Sequence, residues 1–512
     1  MKTDKDLYRQ LRALGCEKLW RDEVPRFDQL SPKDRMANVA LIRAVGVVFS
    51  ESGTPAQNVE VRAWLVRLLK DPAEKIRRYA MAALPKLGSG TAEEKELLSV
   101  LQSSQGDRET KSVGKALDKI GGAATLDVVS ESPGLLQTEQ KVRAAVARQS
   151  SPTIVRMDSV LSDFKRLRIH LRCRRGLEDI VNDELEEAIA KGLRVRVLEI
   201  GRRFVAVSPL APFTLADLYK LRCFAHVGLV LGTVPGKDPA KCVDAMASVI
   251  ASPLSRRLFE TFTEGPMRYR LDFVTEGHQR GTIHQIANRV YALCPEILND
   301  ARSAPWSIDI HPAPQGLSLE LRPRLSPDPR LYYRTDDVPA ASHPPLAACM
   351  ARLAGRVKDE IIWDPFCGSG LELIESGLLG DVKKVIGTDL SPEAIAIAKA
   401  NFAAAKLEGV QGEFLAADFR DFEKIKALGP NSVTLVITNP PMGRRIRIKD
   451  MQGLFREFFD AATKALKPGG RLILANPLKQ EPRSPSMKNE YREIIDLSGF
   501  NCRLEVYVKQ TS

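Results

Sequence analysis

Strand-like and helix-like segments alternate along the chain from about residue 335 onward, and this alternation constrains the fold more than any other feature. Short apolar runs rich in β-branched residues are separated by stretches with helical periodicity. Such alternation predicts an open, mostly parallel sheet with helices on both faces. The predicted strands are 361–363, 384–388, 412–415, 433–438 and 470–475, and the clearest helices are 392–405 and 452–466.

Acidic and glycine residues stand where the first three of these strands end. Asp364 follows the first strand and leads into Gly368 and Gly370, which let the backbone approach a ligand closely. Asp389 ends the second strand, where a carboxylate can accept two hydrogen bonds from ribose hydroxyls, and Asp418 after the third is a candidate acceptor for an exocyclic amine. Because ligands bind outside the carboxyl ends of such strands, these residues predict one shared site.

The glycine loop excludes a dinucleotide site. A pyrophosphate on a helix N-terminus needs the pattern G-x-G-x-x-G, and residues 364–370 lack it. An aspartate followed by Gly-Ser-Gly suits instead a ligand without phosphate, whose ammonium and sulfonium charges favour a nearby carboxylate.

The segment Asn439-Pro440-Pro441-Met442 follows the fourth strand, where the reacting group should lie. The nitrogen of an exocyclic base amine is a poor nucleophile because its lone pair is delocalised into the ring. An asparagine side-chain oxygen and a prolyl carbonyl can accept its two N–H groups and aim the lone pair at a methyl donor. Because of its place in the strand order, we interpret this segment as a catalytic loop rather than a simple turn.

These residues resemble the class I S-adenosylmethionine methyltransferases that act on exocyclic amines, whose Asn/Asp-Pro-Pro-aromatic motif residues 439–442 nearly reproduce. The sequence Asp-Pro-Phe-Cys-Gly-Ser-Gly at 364–370, with Pro-Gly-Gly at 468–470, is similar to the THUMP-containing RNA methyltransferases that make N2-methylguanosine. In that family a ferredoxin-like and THUMP region precedes the catalytic domain, and residues 173–185 resemble its opening.

The resemblance implies S-adenosylmethionine as the cofactor, no metal, and a guanine N2 amine in tRNA or rRNA as the target. The catalytic residues that it implies are Asn439, Pro440, Pro441 and Met442. The cofactor-binding residues that it implies are Asp364, Phe366, Gly368, Gly370, Asp389, Asp418 and Asn439. The methyl group then passes in one in-line displacement, without a strong catalytic base.

Two positions depart from the family pattern or remain unassigned. Met442 stands where the family has an aromatic ring that stacks on the flipped base, and a thioether holds the base less strongly. An N6-adenine methyltransferase therefore stays open as an alternative, as does a non-catalytic RNA-binding protein that keeps the fold. Ser342 and His343 lie at the expected helix start near the donor's methionine end, and His343 is assigned no role.

Positive charge points to a polyanionic partner. The net charge is +12, and exposed lysine and arginine gain free energy by displacing counterions from phosphates. The basic run after the catalytic loop predicts RNA contacts for Arg444, Arg445 and Arg447. A second group of arginines between residues 166 and 175 extends this track or forms a solvated surface.

The whole chain of 512 residues predicts a multidomain protein. Residues 1–125 form an α-helical region with two similar stretches offset by roughly 33 residues, which indicates a HEAT-like solenoid or a helical bundle that docks a protein partner. Residues 126–160 are a Ser-, Gln- and Pro-rich linker, 161–330 an α+β THUMP-like RNA-binding region, and 335–512 the Rossmann-like α/β class I methyltransferase domain.

Several classes of protein are excluded. No apolar stretch approaches the roughly 18 residues that cross a bilayer, so we expect a soluble protein without a membrane partner. The first residues show neither a signal peptide nor a transit pattern, which predicts a cytoplasmic location. The eight cysteines contain no CxxC pair, so neither a disulfide framework nor a zinc cluster is expected.

Overall fold

The chain folds into two compact units, Met1–Pro152 and Thr153–Ser512. The predicted division at residues 330–335 therefore lies inside one unit. The computed structural model describes residues 4–88, 90–104, 106–129, 133–135, 138–139, 141–143, 145–146, 151–274, 279–338, 341–442, 450–478, 484–497 and 499–511.

The first unit consists of helices, as predicted for residues 1–125. Helix Glu74–Ala83 packs between helices Ala40–Ser52 and Asp107–Ile120, so that alternate helices stack in one layer. Gly46 permits this close approach, because a Cβ atom there would lie 2.7 Å from the Cβ of Ala83. Further helices described in the unit are Asp4–Arg12, Gly15–Lys18, Leu19–Glu23, Val24–Gln29, Pro32–Ala37, Pro55–Leu68, Leu84–Lys86, Thr91–Ser103, Ala123–Val129 and Pro133–Leu135.

Ion pairs link helix Glu74–Ala83 and the loop before it to helices Pro32–Ala37 and Asp107–Ile120. The guanidinium of Arg35 donates to Asp71 at 2.5 Å, and that of Arg77 donates to Glu109 at 2.6 and 3.0 Å. Arg77 also donates to the Asp71 carbonyl at 2.8 Å, which joins the two links into one ladder. The layer continues into the predicted linker, because Val129 and Leu135 pack into its core. The linker of residues 126–160 stays a prediction, and these two side chains within it belong to the core of the helical unit.

The second unit begins with a large sheet of mostly antiparallel strands, which accounts for the α+β pattern. Helices Glu178–Ala190, Leu215–Leu218, Val243–Ile250, Pro253–Phe262 and Arg280–Leu293 connect its strands. The strands are β1 Ile154–Val155, β2 Ile169–Arg172, β3 Val195–Gly201, β4 Phe204–Pro209, β5 His226–Val234, β6 Thr263–Glu264, β7 Met267–Phe273, β8 Ile297–Asn299, β9 Trp306–Ala313 and β10 Gly316–Pro323. The eight-stranded sheet has the order β3-β4-β2-β5-β10-β9-β7-β8, and β1 pairs with β6 separately.

A second, seven-stranded sheet follows, and it confirms the predicted α/β fold. Its strands are β11 Glu360–Asp364, β12 Val382–Asp389, β13 Gln411–Ala416, β14 Val433–Thr438, β15 Leu466–Asn476, β16 Met487–Asp496 and β17 Asn501–Lys509. Its helices are Pro344–Ala354, Leu371–Leu379, Pro392–Ala405 and Met451–Ala465. The order is β13-β12-β11-β14-β15-β17-β16, so the first five strands have the 3-2-1-4-5 order of a doubly wound sheet.

The terminal hairpin of this sheet was not predicted. β17 runs antiparallel between β15 and β16. Most residues of β16 are exposed or half-buried, so the strand carries no apolar run by which the sequence could reveal it.

A buried polar cluster joins the two sheets into one unit. Glu375 is 3% exposed and accepts hydrogen bonds from Arg222 Nε at 2.7 Å, Arg222 Nη2 at 2.8 Å and the Tyr333 hydroxyl at 2.5 Å. Glu184 accepts from the backbone N–H groups of Arg222 and Cys223. A buried charge is tolerated only when such partners satisfy it, so these contacts fix the relative position of the sheets.

No helix within the described ranges is long and apolar enough to cross a membrane.

We predict that Glu375→Gln lowers the free energy of unfolding of the second unit by about 3–5 kcal/mol, because it leaves the Arg222 charge without its buried partner. Differential scanning calorimetry measures the change. The matched control is Glu457→Gln, which removes an exposed partner of Arg420 and should cost less than about 1 kcal/mol. Equal effects of the two substitutions would contradict the role of the cluster.

Candidate active site

The glycine loop lies at the carboxyl ends of β11 and β12, and a hydrogen bond holds it to Asp389. Gly368 and Gly370 have φ values of 49° and 83°, a backbone region that favours glycine. The Gly368 N–H donates to Asp389 Oδ2 at 3.0 Å, and the Ser391 N–H donates to Asp389 Oδ1 at 3.0 Å. The structure thus brings Asp364, both glycines and Asp389 to one edge of the sheet.

Negative charge accumulates under this loop. Asp364 is fully buried, and Glu372 in the first turn of helix Leu371–Leu379 is 3% exposed. Burial, the Glu372 charge and the Asp389 charge raise the pKa of Asp364 well above its usual range, although the Thr438 hydroxyl lowers it. Burial also raises the pKa of Glu372. An excess of buried negative charge fits a ligand that carries ammonium and sulfonium groups, and S-adenosylmethionine is such a ligand.

Two other predicted cofactor residues have partners within the protein. The ring of Phe366 packs against Phe419 and Phe458, with centroids 5.1 and 5.5 Å apart, and its N–H donates to Asp364 Oδ1. Asp418 caps its own helical turn and pairs with the Arg420 guanidinium at 2.9 Å. A carboxylate offers about four acceptor sites, so Asp418 keeps capacity for an amine.

Sequence reasoning missed Leu390. This side chain directly follows Asp389 and is 73% exposed, although it is a large apolar group. It forms an exposed apolar surface at the end of β12, beside Asp389. Its position after a strand-end acidic residue was the available signal.

The catalytic loop presents an acceptor that no described residue uses. Asn439 Nδ2 donates to Ser342 Oγ at 2.8 Å, whereas Asn439 Oδ1 is buried and has no hydrogen-bond partner among the described residues. Pro440 is buried, and Pro441 and Met442 are half-buried. An unpartnered buried carbonyl oxygen is costly, so Asn439 Oδ1 is a candidate acceptor for a donor group of a ligand.

Ser342 also forms a hydrogen bond with Glu372, a second residue that sequence reasoning missed. The Ser342 hydroxyl donates to Glu372 Oε1. Leu371, Leu373 and Ile374 around Glu372 are buried and apolar. A charged residue inside an apolar helix start was the signal that could have identified it.

Hydrogen bonds of Asn401 hold residues 335–337 against the glycine loop. Its fully buried amide accepts from the Thr335 N–H at 2.9 Å and donates to the carbonyls of Asp336 and Ser369, each at 3.1 Å. These hydrogen bonds place residues 335–337 at the edge of the sheet where the site lies. The Ser369 hydroxyl adds a hydrogen bond to Asp337 Oδ1 at 3.0 Å.

Positive side chains surround His343 at the start of helix Pro344–Ala354. Burial and the charges of Arg174, Arg330 and Arg334 lower the pKa of His343 to about 4, so the ring is neutral at pH 7. Arg174 comes from the first sheet of the unit and donates to the Asp496 carbonyl. The predicted RNA contacts Arg444, Arg445 and Arg447 lie outside the described residues. Across the described residues, no group of three or more His, Cys, Asp or Glu side chains is arranged to hold a metal.

The strand order, the glycine loop, the strand-end carboxylates and the Asn-Pro-Pro loop together define a class I methyltransferase domain. The chain belongs to the RMKL-like methyltransferase family, whose donor is S-adenosylmethionine. The family model described as an RMKL-like methyltransferase domain matches residues 332–500.

Named relatives agree with this membership. The tRNA (guanine(10)-N2)-dimethyltransferase of Methanothermobacter thermautotrophicus is 33% identical over 153 residues, which are 29% of this chain and 42% of the relative. The "Probable tRNA (guanine(10)-N2)-dimethyltransferase" of Methanothermococcus thermolithotrophicus is 31% identical over 137 residues, 26% of this chain and 80% of the relative. The first match thus spans less than half of that relative.

A solved structure shares the fold beyond the catalytic domain. The crystal structure of TrmN from Thermus thermophilus matches 67% of this chain and 100% of its own chain, with a TM-score of 0.51 and 21% sequence identity.

We predict that Asp364→Asn stabilises the protein without ligand at neutral pH and weakens its affinity for S-adenosylmethionine. The raised pKa means that the native state binds this proton more tightly than the unfolded chain. The stability that the proton provides is therefore lost as pH rises above about 4 and through the raised value. Asparagine does not titrate, so its advantage in melting temperature should grow between about pH 5 and about pH 8.

Thermal melts across this pH range and calorimetric titration of the donor measure both effects. Asp460→Asn, on the exposed face of helix Met451–Ala465, is the matched control and should change neither quantity. An Asp364→Asn protein that binds the donor as well as the wild type would remove Asp364 from the cofactor site.

Proposed function

We propose that the protein transfers a methyl group from S-adenosylmethionine to the exocyclic N2 amine of a guanosine in tRNA. The observation that carries the proposal is the buried Asn439 Oδ1, which faces no partner among the described residues and follows β14. The names of the two tRNA guanine-N2 relatives support guanine and tRNA over the other target amines.

The residues divide into a donor site and an amine site. Asp364, Phe366, Gly368, Gly370, Asp389, Asp418 and Asn439 would hold the donor, which supplies an electrophilic methyl group when bound. Leu390 adds an exposed apolar surface beside Asp389. The buried carboxylates favour a positively charged ligand and so retain the charged donor over its neutral product.

At the amine site Asn439 Oδ1 and the Pro440 carbonyl accept the two N–H groups of the target nitrogen. Its lone pair is thereby freed from the ring and forms the new N–C bond as the methyl group leaves its sulfur. The nitrogen then loses one proton to water. Pro441 keeps the loop rigid, and the Met442 thioether contacts the face of the base.

The remaining regions would bring RNA to this site. We assign the segment 161–330 to a THUMP-like RNA-binding region, since Arg174 of this segment lies among the positive groups near His343. We assign the first unit to a HEAT-like array, since alternate helices stack and the Arg35–Asp71 and Arg77–Glu109 pairs recur along it. Its role as a docking surface for another protein stays a prediction, as do the RNA contacts of Arg444, Arg445 and Arg447.

The test is transfer of labelled methyl groups to tRNA and to rRNA separately, followed by digestion and mass identification of the nucleosides. Label in N2-methylguanosine or N2,N2-dimethylguanosine from tRNA supports the proposal. Label in N6-methyladenosine would establish the alternative base, and absence of both transfer and donor binding would favour a non-catalytic RNA-binding protein.

We predict that Asn439→Ala lowers kcat by roughly 100- to 1,000-fold and leaves donor affinity almost unchanged, because a preorganised acceptor is lost at the reacting nitrogen. Single-turnover kinetics and calorimetric titration of S-adenosylmethionine separate the two effects. The matched control is Asn288→Ala on an exposed helical face, which should retain full activity. An unchanged rate in Asn439→Ala would exclude this residue from the reaction.

A further inference from the structure

Three polar side chains from separate segments form one hydrogen-bonded chain beside the catalytic loop. Ser342 precedes helix Pro344–Ala354, Glu372 lies in the first turn of helix Leu371–Leu379, and Asn439 follows β14. Asn439 Nδ2 donates to Ser342 Oγ at 2.8 Å, and the Ser342 hydroxyl donates to Glu372 Oε1. The chain ends at a carboxylate that is 3% exposed.

The direction of these hydrogen bonds depends on Glu372. A serine hydroxyl has one proton, and when it donates that proton to Glu372 its lone pairs must receive an N–H group from Asn439. The amide then faces the serine with Nδ2 and leaves Oδ1 for another donor. If Glu372 instead carries a proton and donates it to Ser342, the hydroxyl proton turns toward the amide. Asn439 then flips, and its Nδ2 confronts the N–H groups of the target amine.

We propose that Glu372, acting through Ser342, is a positioning residue that fixes the Asn439 amide with its oxygen toward the target amine. The inference rests on the proposed function of Asn439, and it deepens that function by naming what orients the acceptor. Neither Glu372 nor Ser342 needs to contact the reacting atoms in this role.

The surroundings of Glu372 make this arrangement sensitive to pH. The ionisable groups that interact with Glu372 are Glu375 on the same helix, Asp364 at the end of β11 and Cys367 in the glycine loop. Burial raises the pKa of Glu372, while the hydrogen bond from Ser342 lowers it. The chain of hydrogen bonds should therefore reverse, and kcat should fall, as pH drops through a value above the usual glutamate range.

The first experiment compares Ser342→Ala with Ser342→Thr, which keeps the hydroxyl. We expect Ser342→Ala to lower kcat by about 10- to 100-fold and Ser342→Thr to restore most of it, because misorientation of a catalytic group costs about this much. Donor affinity should stay at the wild-type value in both variants, whereas the melting temperature should fall in Ser342→Ala, which leaves the buried Glu372 carboxylate without its donor. Ser376→Ala is the matched control. Ser376 is buried one turn after Glu372 in helix Leu371–Leu379, and its hydroxyl donates to the Glu372 backbone carbonyl.

A Ser342→Ala protein with wild-type kcat would overturn the proposal, as would a loss confined to donor affinity. If Ser342→Ala fails to fold, the kcat and the pH profile of Glu372→Gln test the positioning role instead. Glutamine does not titrate and can donate or accept, so kcat at neutral pH should fall and the acid limb of the pH profile should disappear. An acid limb that persists in Glu372→Gln would refute the role of Glu372.

The assay counts all methyl transfer, whichever nucleoside receives it. Methyl groups in a base other than guanine would therefore refute the proposed substrate while the variants still judge the positioning role. If the protein transfers methyl groups to no RNA, the NMR signal of the Asn439 side-chain amide in 15N-asparagine-labelled protein tests the positioning role. It should shift as pH falls in the wild type and stay constant in Glu372→Gln, and a signal that is constant in both would overturn the proposal.

Discussion

Buried negative charge under the glycine loop is the interaction on which the arrangement of the catalytic domain depends. Asp364 and Glu372 are almost inaccessible to water, and Asp389 closes the rim by accepting two backbone N–H groups. Within the described part of the chain, no basic side chain forms an ion pair with Asp364 or Glu372. The charge is therefore relieved by proton uptake or by a cationic ligand, which couples stability, pH and donor binding.

Helix Leu371–Leu379 carries two buried glutamates that are satisfied in different ways. Glu375 takes the guanidinium of Arg222 from the first sheet of the unit and the Tyr333 hydroxyl, so it serves the junction between the sheets. Glu372, one turn earlier, accepts the hydrogen bond of the Ser342 hydroxyl, which also contacts Asn439. One short helix thus connects the acceptor geometry of the site to the sheet that supplies Arg174. Under the proposed function, this helix keeps the RNA-binding region at a fixed distance from the Asn-Pro-Pro loop.

The first unit follows a different principle, since its order comes from repetition. Alternate helices stack, and the Arg77–Glu109 pair joins helix Glu74–Ala83 to helix Asp107–Ile120. The Arg35–Asp71 pair joins helix Pro32–Ala37 to the loop before helix Glu74–Ala83. Each link is local to neighbouring helix pairs, so the unit needs few long-range contacts to hold its form. The sequence indicates repetition through two similar stretches, 71–88 and 111–121, offset by roughly 33 residues. Leu135, which packs into the same core, lies beyond both stretches.

The sequence by itself determined the α/β class, the positions of β11 to β15 and the residues that stand at the ends of these strands. These follow from periodic burial and from residues such as Gly368, Asp389 and Asn439 that stand directly after strands, which are local properties of the chain. Only the tertiary structure decided the partners of those residues. Ser342 lies 30 residues from Glu372 and 97 from Asn439, and hydrophobic periodicity records which face is buried without recording what lies against it. The Arg222–Glu375 pair stayed hidden for the same reason, since it joins distant elements, whereas the exposed strand β16 stayed hidden because it carries no apolar run.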